Sequence, residues 1–185
     1  GMMAAIAAAD MGAKVTLCEK NEKLGKKVYI TGKGRCNVTN DSDVENLLKN
    51  VISNPKFLYS AFYTFDSSRV ISFLEDEGLK LKTERGNRVF PVSDKSSDVI
   101  STLQKSMKER NVDIILHAEV KNIKIEDNEV KGVNVIVGKK EKKFLKADSI
   151  IIATGGCSYP STGSTGDGYE MAKESGHKIK ECSPS

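Results

Sequence analysis

Hydrophobic positions along the chain fall into helical and alternating runs, separated by stretches where no period survives. Residues 1–11 are small and apolar on almost every side, which predicts a helix buried against a sheet. Gly12 ends it, and residues 14–18 read as a short buried strand closing on Glu19. Residues 22–27 form a charged connector whose lysines read as wet surface. Helical periods return over residues 41–53 and 54–63, the second after a break at Pro55. Asp66 and the hydroxyls after it suit the N-cap of a helix ending at Gly78, with Val70, Ile71 and Leu74 on one face. Residues 79–83 and 88–92 predict a hairpin across residues 84–87. Ser93 or Asp94 then caps a helix reaching about Arg110, with Val99, Leu103 and Met107 along its buried stripe.

From Val112 the period becomes alternating. Residues 113–116, 117–126, 129–137 and 142–145 read as strands, with Asp127-Asn128 and Gly138-Lys139-Lys140 as turns. Such a meander covers the ligand in many two-nucleotide folds and is equally a plain structural appendage. Residues 148–153 are continuous and β-branched, which predicts a parallel strand buried on both faces. That strand runs straight into Thr154-Gly155-Gly156, at the carboxyl edge where open α/β sheets bind ligands.

Three stretches carry candidate chemistry. Residues 31–40, TGKGRCNVTN, keep no helix or strand period and contain one aliphatic side chain, Val38. An ordinary glycine turn needs about four residues. A longer donor-rich loop either lies exposed or embraces a polar ligand, because burial would strand its backbone groups. Residues 161–168, STGSTGDG, precede a helix over residues 169–175, and loop amides beside a helix N-terminus attract anions such as phosphate. Residues 1–19 give a helix, a glycine turn and a strand ending in an acid, the second half of a dinucleotide-binding βαβ unit. Glu19 stands at about the distance from Gly1 at which such an acid meets the ribose hydroxyls. Only Gly1 could belong to a G-x-G-x-x-G fingerprint, so a small helix beside a strand of any α/β protein reads equally well.

Composition narrows the classes. The chain has 185 residues, 38% hydrophobic and 29% charged, with a net charge of +4 spread over lysines scattered among acids. No basic helix is interleaved with aromatics, so nucleic acid is not an expected partner. Residues 2–9, the longest apolar run, are far too short to span a bilayer and lack the flanks of a signal peptide. No membrane partner and a cytoplasmic location are the expectations. Cys18, Cys36, Cys157 and Cys182 form no CxxC pair, and with only His117 and His177 to add, no metal site is expected. Both ends look cut: the chain opens on Gly1 inside a helical pattern, and residues 181–185 signal no completed domain.

Residues 1–27, the TGKGRCNVTN loop, RVFPVS over residues 88–93, and IIATGGCSYPSTGSTGDGYEMA over residues 151–172 resemble the BaiN-like (YhiN-type) FAD-binding flavoproteins, often labelled the aminoacetone oxidase family. The TGDG segment is also similar to the more distant fumarate reductase flavoproteins. The resemblance spans essentially the whole chain. It implies an α/β, FAD/NAD(P)-binding Rossmann-like three-layer fold, in which residues 1–185 form one incomplete FAD-binding domain. That domain would lack its first β-strand and C-terminal part, and would carry a helical insertion at about 41–78 and the meander at about 112–146.

The resemblance also implies roles. Gly1 would lie beside the pyrophosphate, and Glu19, with Lys20 next to it, would bind on the adenosine side. Lys27, Thr31, Gly32, Gly34, Arg35, Cys36 and Asn37 would line the path from pyrophosphate to isoalloxazine. Val120 would meet the adenine edge through its backbone. Thr154, Gly155 and Gly156 would flank the dinucleotide, and Asp167 would contact the cofactor from the TGDG turn. Pyrophosphate wants amide donors with no side chain in the way, and the flavin itself carries the hydride chemistry. No residue is a convincing proton donor to substrate; Arg35 and Cys36 stand nearest, yet Arg stays charged and Cys36 could merely pack. The implied activity is an FAD-dependent oxidoreductase working on a small organic substrate with NAD(P)H as possible electron source. The reaction would be reduction of an activated C=C bond or amine oxidation. A non-catalytic nucleotide-binding module and an inert truncated product are the alternatives.

Overall fold

The computed structural model describes residues 1–182; Ser183, Pro184 and Ser185, part of the ending read above as cut, lie outside the described residues. Its helices are α1 (Met2–Asp10), α2 (Lys26–Ile30), α3 (Val44–Lys49), α4 (Tyr59–Thr64), α5 (Ser67–Asp76), α6 (Ser96–Glu109) and α7 (Asp167–Glu174). Its strands are β1 (Thr16–Cys18), β2 (Thr39–Asn40), β3 (Leu81–Glu84), β4 (Arg88–Pro91), β5 (Asp113–Ile115), β6 (Ala118–Glu126), β7 (Glu129–Val137) and β8 (Glu141–Lys146). The chain forms two compact units: Gly1–Lys27 together with the chain from Met107 on, and Val28–Ser106.

In the first unit β1 runs parallel to β5, with Thr16 opposite Asp113 and Cys18 opposite Ile115. Helix α1 buries Ala5 and Ile6, the latter only 1% exposed. Met3 and Ala7 remain exposed, so the expectation of burial on almost every side is corrected to a single buried stripe. A two-stranded sheet is too narrow to cover more of the helix. Strands β6, β7 and β8 form an antiparallel meander in that order. Asp127 and Asn128 both take positive φ, 51° and 60°, the left-handed pair that a tight two-residue hairpin turn requires. Val133 and Val135 bury the inner face of β7.

The expected strand over residues 148–153 is the second correction. Among the described residues it has no ladder partner, and Ile151 and Ile152 are 64% and 40% exposed. β-Branched composition favours extended backbone, but a strand exists only where a neighbour takes its hydrogen bonds.

The second unit is built on the β2-β4-β3 sheet. The predicted hairpin pairs Leu81 with Pro91 and Glu84 with Arg88, turning at Gly86 and Asn87, and it buries Val89 and Phe90. Asp66 caps α5 as expected, its Oδ1 accepting from the Arg69 amide at 2.9 Å. Helix α6 starts at Ser96, later than a cap at Ser93 or Asp94 would give. Ser93 Oγ instead accepts from the Lys95 amide at 3.3 Å, and Asp94 spends its carboxylate on Arg35 and Lys82. Val99 and Leu103 lie along the buried stripe of α6, and Met107, where the chain re-enters the first unit, is fully buried. Residues 41–64 hold α3, a 3-10 turn at Pro55–Leu58 and α4.

Gly132 sits where β7 crosses β8 with φ +147°, and a Cβ there would lie 2.1 Å from the Leu145 carbonyl oxygen. Gly138 also has positive φ, +62°, but a Cβ would meet nothing within 4 Å. Gly138→Ala is therefore expected to cost about 1 kcal/mol of backbone strain, while Gly132→Ala costs clearly more, since a backbone oxygen cannot yield as a side chain can. Urea denaturation of the two variants checks the order, and equal losses would contradict it.

Candidate functional site

The parallel pair β1–β5 delivers three polar residues to its carboxyl end. The Glu19 amide donates to Ile115 O at 2.9 Å, the Ala118 amide to Glu19 O at 2.9 Å, and the His117 amide to Asn21 O at 3.0 Å. The ladder thus fixes Glu19, Lys20 and Asn21 at the edge where open α/β sheets hold ligands. Glu19 Oε1 accepts from both the amide (2.8 Å) and the side-chain Nδ2 (2.7 Å) of Asn21. One carboxylate oxygen is anchored, and among the described residues Oε2 accepts no hydrogen bond, which leaves it for outside donors such as sugar hydroxyls.

The segment after residue 157 folds back onto the same edge. Lys20 Nζ donates to Asp167 Oδ2 at 2.7 Å and to Thr165 Oγ1 at 2.6 Å, and Thr165 Oγ1 donates to Asp167 Oδ1 at 2.6 Å. Asn21 Nδ2 also reaches Thr162 O at 3.2 Å. Lys27 Nζ donates to Ser158 O (2.9 Å) and Ser158 Oγ (3.0 Å) and lies 4.6 Å from the centroid of the Tyr159 ring. Lys20, Asn21 and Lys27 therefore clasp one loop at three points.

Close packing explains the glycines of that loop. A Cβ on Gly163 would meet Asn21 Nδ2 at 2.8 Å and Lys20 Cε at 3.1 Å. A Cβ on Gly168 would meet Thr154 Oγ1 at 2.5 Å and Ile152 Cγ2 at 2.8 Å, so α7 can start against residues 152–154 only because position 168 is glycine. The Gly166 amide donates to Gly156 O at 3.2 Å, and Gly155, with φ +78°, faces Ser164. Gly1 sits at the end of this stack, where the nearest atom to an added Cβ is Ala153 Cβ at 4.0 Å. A cleft of about 320 Å³ opens beside the clasp, lined by Lys20, Asn21, His117, Glu119, Gly163 and Thr165 among others. That volume lies at the low end of small-molecule sites, about 300–1,000 Å³. Val120 is half-buried in β6 opposite Val135, with a register shift just after it.

In the second unit, residues 31–37 form one turn. Gly32 and Lys33 are left-handed (φ 55° and 56°), as are Gly34 (86°) and Cys36 (60°). The Arg35 amide donates to Gly32 O at 3.2 Å, the Cys36 amide to Thr31 O at 3.1 Å, and Thr31 Oγ1 to Val28 O at 2.7 Å. The Arg35 side chain turns inward to Glu84, Asp94 and the Phe90 ring. Cys36 is buried, and burial pushes its thiol up, which keeps it protonated at neutral pH. The Asn37 side-chain amide faces two acceptors, Val89 O and Thr39 O, so its nitrogen is assigned to that side, at 3.2 and 3.0 Å.

Of the residues singled out from sequence, Gly1, Glu19, Lys20, Lys27, Thr154, Gly155, Gly156 and Asp167 are thus tied together in one unit. Thr31, Gly32, Gly34, Arg35, Cys36 and Asn37 share one turn in the other. Asn21, Ser158 and Thr165 were not singled out, although they complete the clasp. Asn21, next to a strand-ending acid, carried the one usable signal, since a short amide there can bond the carboxylate two residues back.

Comparison with known proteins bears on what this edge holds. The HI0933-like protein Rossmann domain matches residues 1–183. The 3-dehydro-bile acid delta(4,6)-reductase of Clostridium scindens is 32% identical over all of this chain, which covers 43% of that protein. The ribosomal RNA dihydrouridine synthase of Haemophilus influenzae is 27% identical over 95% of the chain, again 43% of the relative. The chain therefore spans less than half the length of the curated relatives it matches. A flavocytochrome c3 fumarate reductase in its open conformation aligns at TM-score 0.74 and 25% identity, over 94% of this chain and 38% of the other. The 3-ketosteroid-delta4-(5alpha)-dehydrogenase of Rhodococcus jostii aligns at TM-score 0.65 and 13% identity, over 84% of this chain and 43% of that protein, a likeness of fold alone.

The Asp167 carboxyl is held below the usual carboxylate range, first by the Lys20 hydrogen bond and then by Thr165. A depressed carboxylate contributes stability that is present above its unfolded value, near 4, and is lost as pH falls through the folded value. Replacing Lys20 with Ala should raise the Asp167 titration toward that ordinary value, read by carboxyl-carbon NMR; an unmoved titration would show that Lys20 does not hold it.

Proposed function

The chain belongs to the HI0933-like Rossmann-domain family, and we propose that it is the FAD-binding part of an FAD-dependent oxidoreductase that reduces a small organic substrate with electrons from NAD(P)H. The single observation that carries this reading is the clasp around Glu19. It presents a carboxylate oxygen that accepts no bond among the described residues, a stack of glycines with room beside Gly1, and a cleft, all at the carboxyl end of a parallel pair. These residues fit a dinucleotide: an acid for ribose hydroxyls, and glycine backbone where phosphate must come close. Glu19, Lys20 and Val120 would hold the adenosine side, and Gly1, Thr154, Gly155, Gly156 and Asp167 would flank the rest. The resemblance noted above also gives roles to Lys27 and, in the second unit, to the turn holding Thr31, Gly32, Gly34, Arg35, Cys36 and Asn37. The bound flavin would supply hydride transfer, while this chain binds, orients and screens it.

Within the family, likeness to the bile-acid reductase favours the BaiN-like branch. The activities that name these relatives, a bile-acid delta(4,6)-reductase, a dihydrouridine synthase and a fumarate reductase, share the addition of hydrogen across a C=C bond. We take an enone-type small molecule as the substrate class. The names of two relatives favour a second reading, in which the double bond belongs to a uridine of ribosomal RNA. Four free cysteines suit a cytoplasmic location.

FAD added to the chain should give a yellow complex and raise the melting midpoint, by about 2.7 kcal/mol of stabilisation at a hundredfold excess over Kd. Glu19→Ala should weaken FAD at least about tenfold, equivalent to roughly 1.4 kcal/mol. A colourless, unshifted protein would remove the flavin reading. Bleaching by NADPH or NADH, followed by reoxidation with an enone but not with ribosomal RNA, would separate the two substrate classes.

A further inference from the structure

Arg35 sits in the donor-rich turn, yet its charge is already committed. Its Nη2 donates to Glu84 Oε1 at 2.5 Å and to Asp94 Oδ1 at 2.5 Å, and its Nε donates to the same Asp94 oxygen at 2.8 Å. The guanidinium carbon lies 4.1 Å from the centroid of Phe90. Lys82 shares both carboxylates, at 2.8 Å from Asp94 and 3.5 Å from Glu84. Two cations and two anions cancel, so the knot has no net charge with which to draw an anion. Lys33, exposed and without a bonded partner among the described residues, is the cation the turn leaves open.

We propose that Arg35 is a positioning residue: the Arg35–Glu84–Asp94–Lys82 knot over Phe90 pins residues 31–37 to the β3–β4 hairpin and holds their left-handed backbone. The part of this inference that concerns cofactor rests on the flavin reading above, in which that turn takes part. Lys33 and Cys36 have side chains that resist positive φ, and such backbone persists only where its surroundings over-determine it. The hairpin supplies the means. Its register puts Lys82 opposite Phe90 and Glu84 opposite Arg88, which places both Lys82 and Glu84 within reach of Arg35. Asp94 follows three residues after Pro91, its own φ +56°, and closes the ring.

Hydrogen exchange of residues 31–37, measured on the whole chain without cofactor, tests the knot directly. Arg35→Ala and the double variant Glu84→Gln/Asp94→Asn should each speed exchange there by about three- to tenfold, and combining them should add little, because both break one network. Arg35→Lys should recover part of the protection. Glu84 is held below the usual carboxylate range mainly by Arg35, and Asp94 mainly by Lys82 and then Arg35. Protection of the turn should therefore persist above about pH 4 and drop as pH falls through the folded values, a step that the double variant lacks. FAD titration supplies the second arm: the carboxylate variant should weaken binding as much as Arg35→Ala does. Unchanged exchange in both variants overturns the proposal. So does weaker FAD binding in Arg35→Ala alone, which would make Arg35 a direct ligand. If the parent protein binds no FAD, the flavin reading fails while the exchange arm still decides the knot.

Discussion

The contact on which the first unit depends is the ion pair between Lys20 and Asp167, made across 147 positions of sequence. It joins the end of β1 to the start of α7 and brings the acid-ended strand and the glycine-rich loop to one edge. As a partly exposed pair, with side chains 27% and 32% accessible, it contributes little stability by itself. What it contributes is position. Thr165 bonds both partners, Asn21 ties Thr162, and Lys27 ties Ser158, so the loop cannot slide without breaking several bonds at once.

Glycine makes that contact possible. A Cβ at position 163 would crowd Asn21 Nδ2 and Lys20 Cε, and one at position 168 would crowd Thr154 Oγ1 and Ile152 Cγ2, against which α7 begins. The glycines read from the sequence as a phosphate cradle pack closely against their neighbours here, at positions 163 and 168. The Arg35 knot solves a similar problem with a different device. There the hairpin register gathers the charges, and the turn's left-handed residues are held by side-chain bonds and by stacking on Phe90.

Local rules made much of this legible in advance. The Asp66 cap, the hairpin across residues 84–87, the Asp127-Asn128 turn and the stripe of α6 each depend on a few neighbouring residues, and each folds as its sequence dictates. Residues 148–153 fail for the complementary reason: strand propensity is local, but a strand is a relation between two segments. The site divides along the same line. Glu19 and Asp167 stood out by type and position, whereas Asn21, Thr165, Glu84 and Asp94 matter only through partners. Most of those partners lie far along the chain, and no periodicity encodes such a meeting.

The same division explains how one Rossmann segment can serve relatives whose names point to a bile acid, a ribosomal RNA uridine and fumarate. Every tie described at the β1–β5 edge serves to fix a carboxylate, a glycine stack and a loop, and none selects an organic substrate. On the flavin reading proposed above, the cofactor carries its own reactivity, and the work left to such an edge would be to hold the dinucleotide in one geometry. On the same reading, substrate choice would fall on whatever covers the reactive ring rather than on the clasp. A fold that separates holding the cofactor from choosing its target leaves the second free to change without disturbing the first.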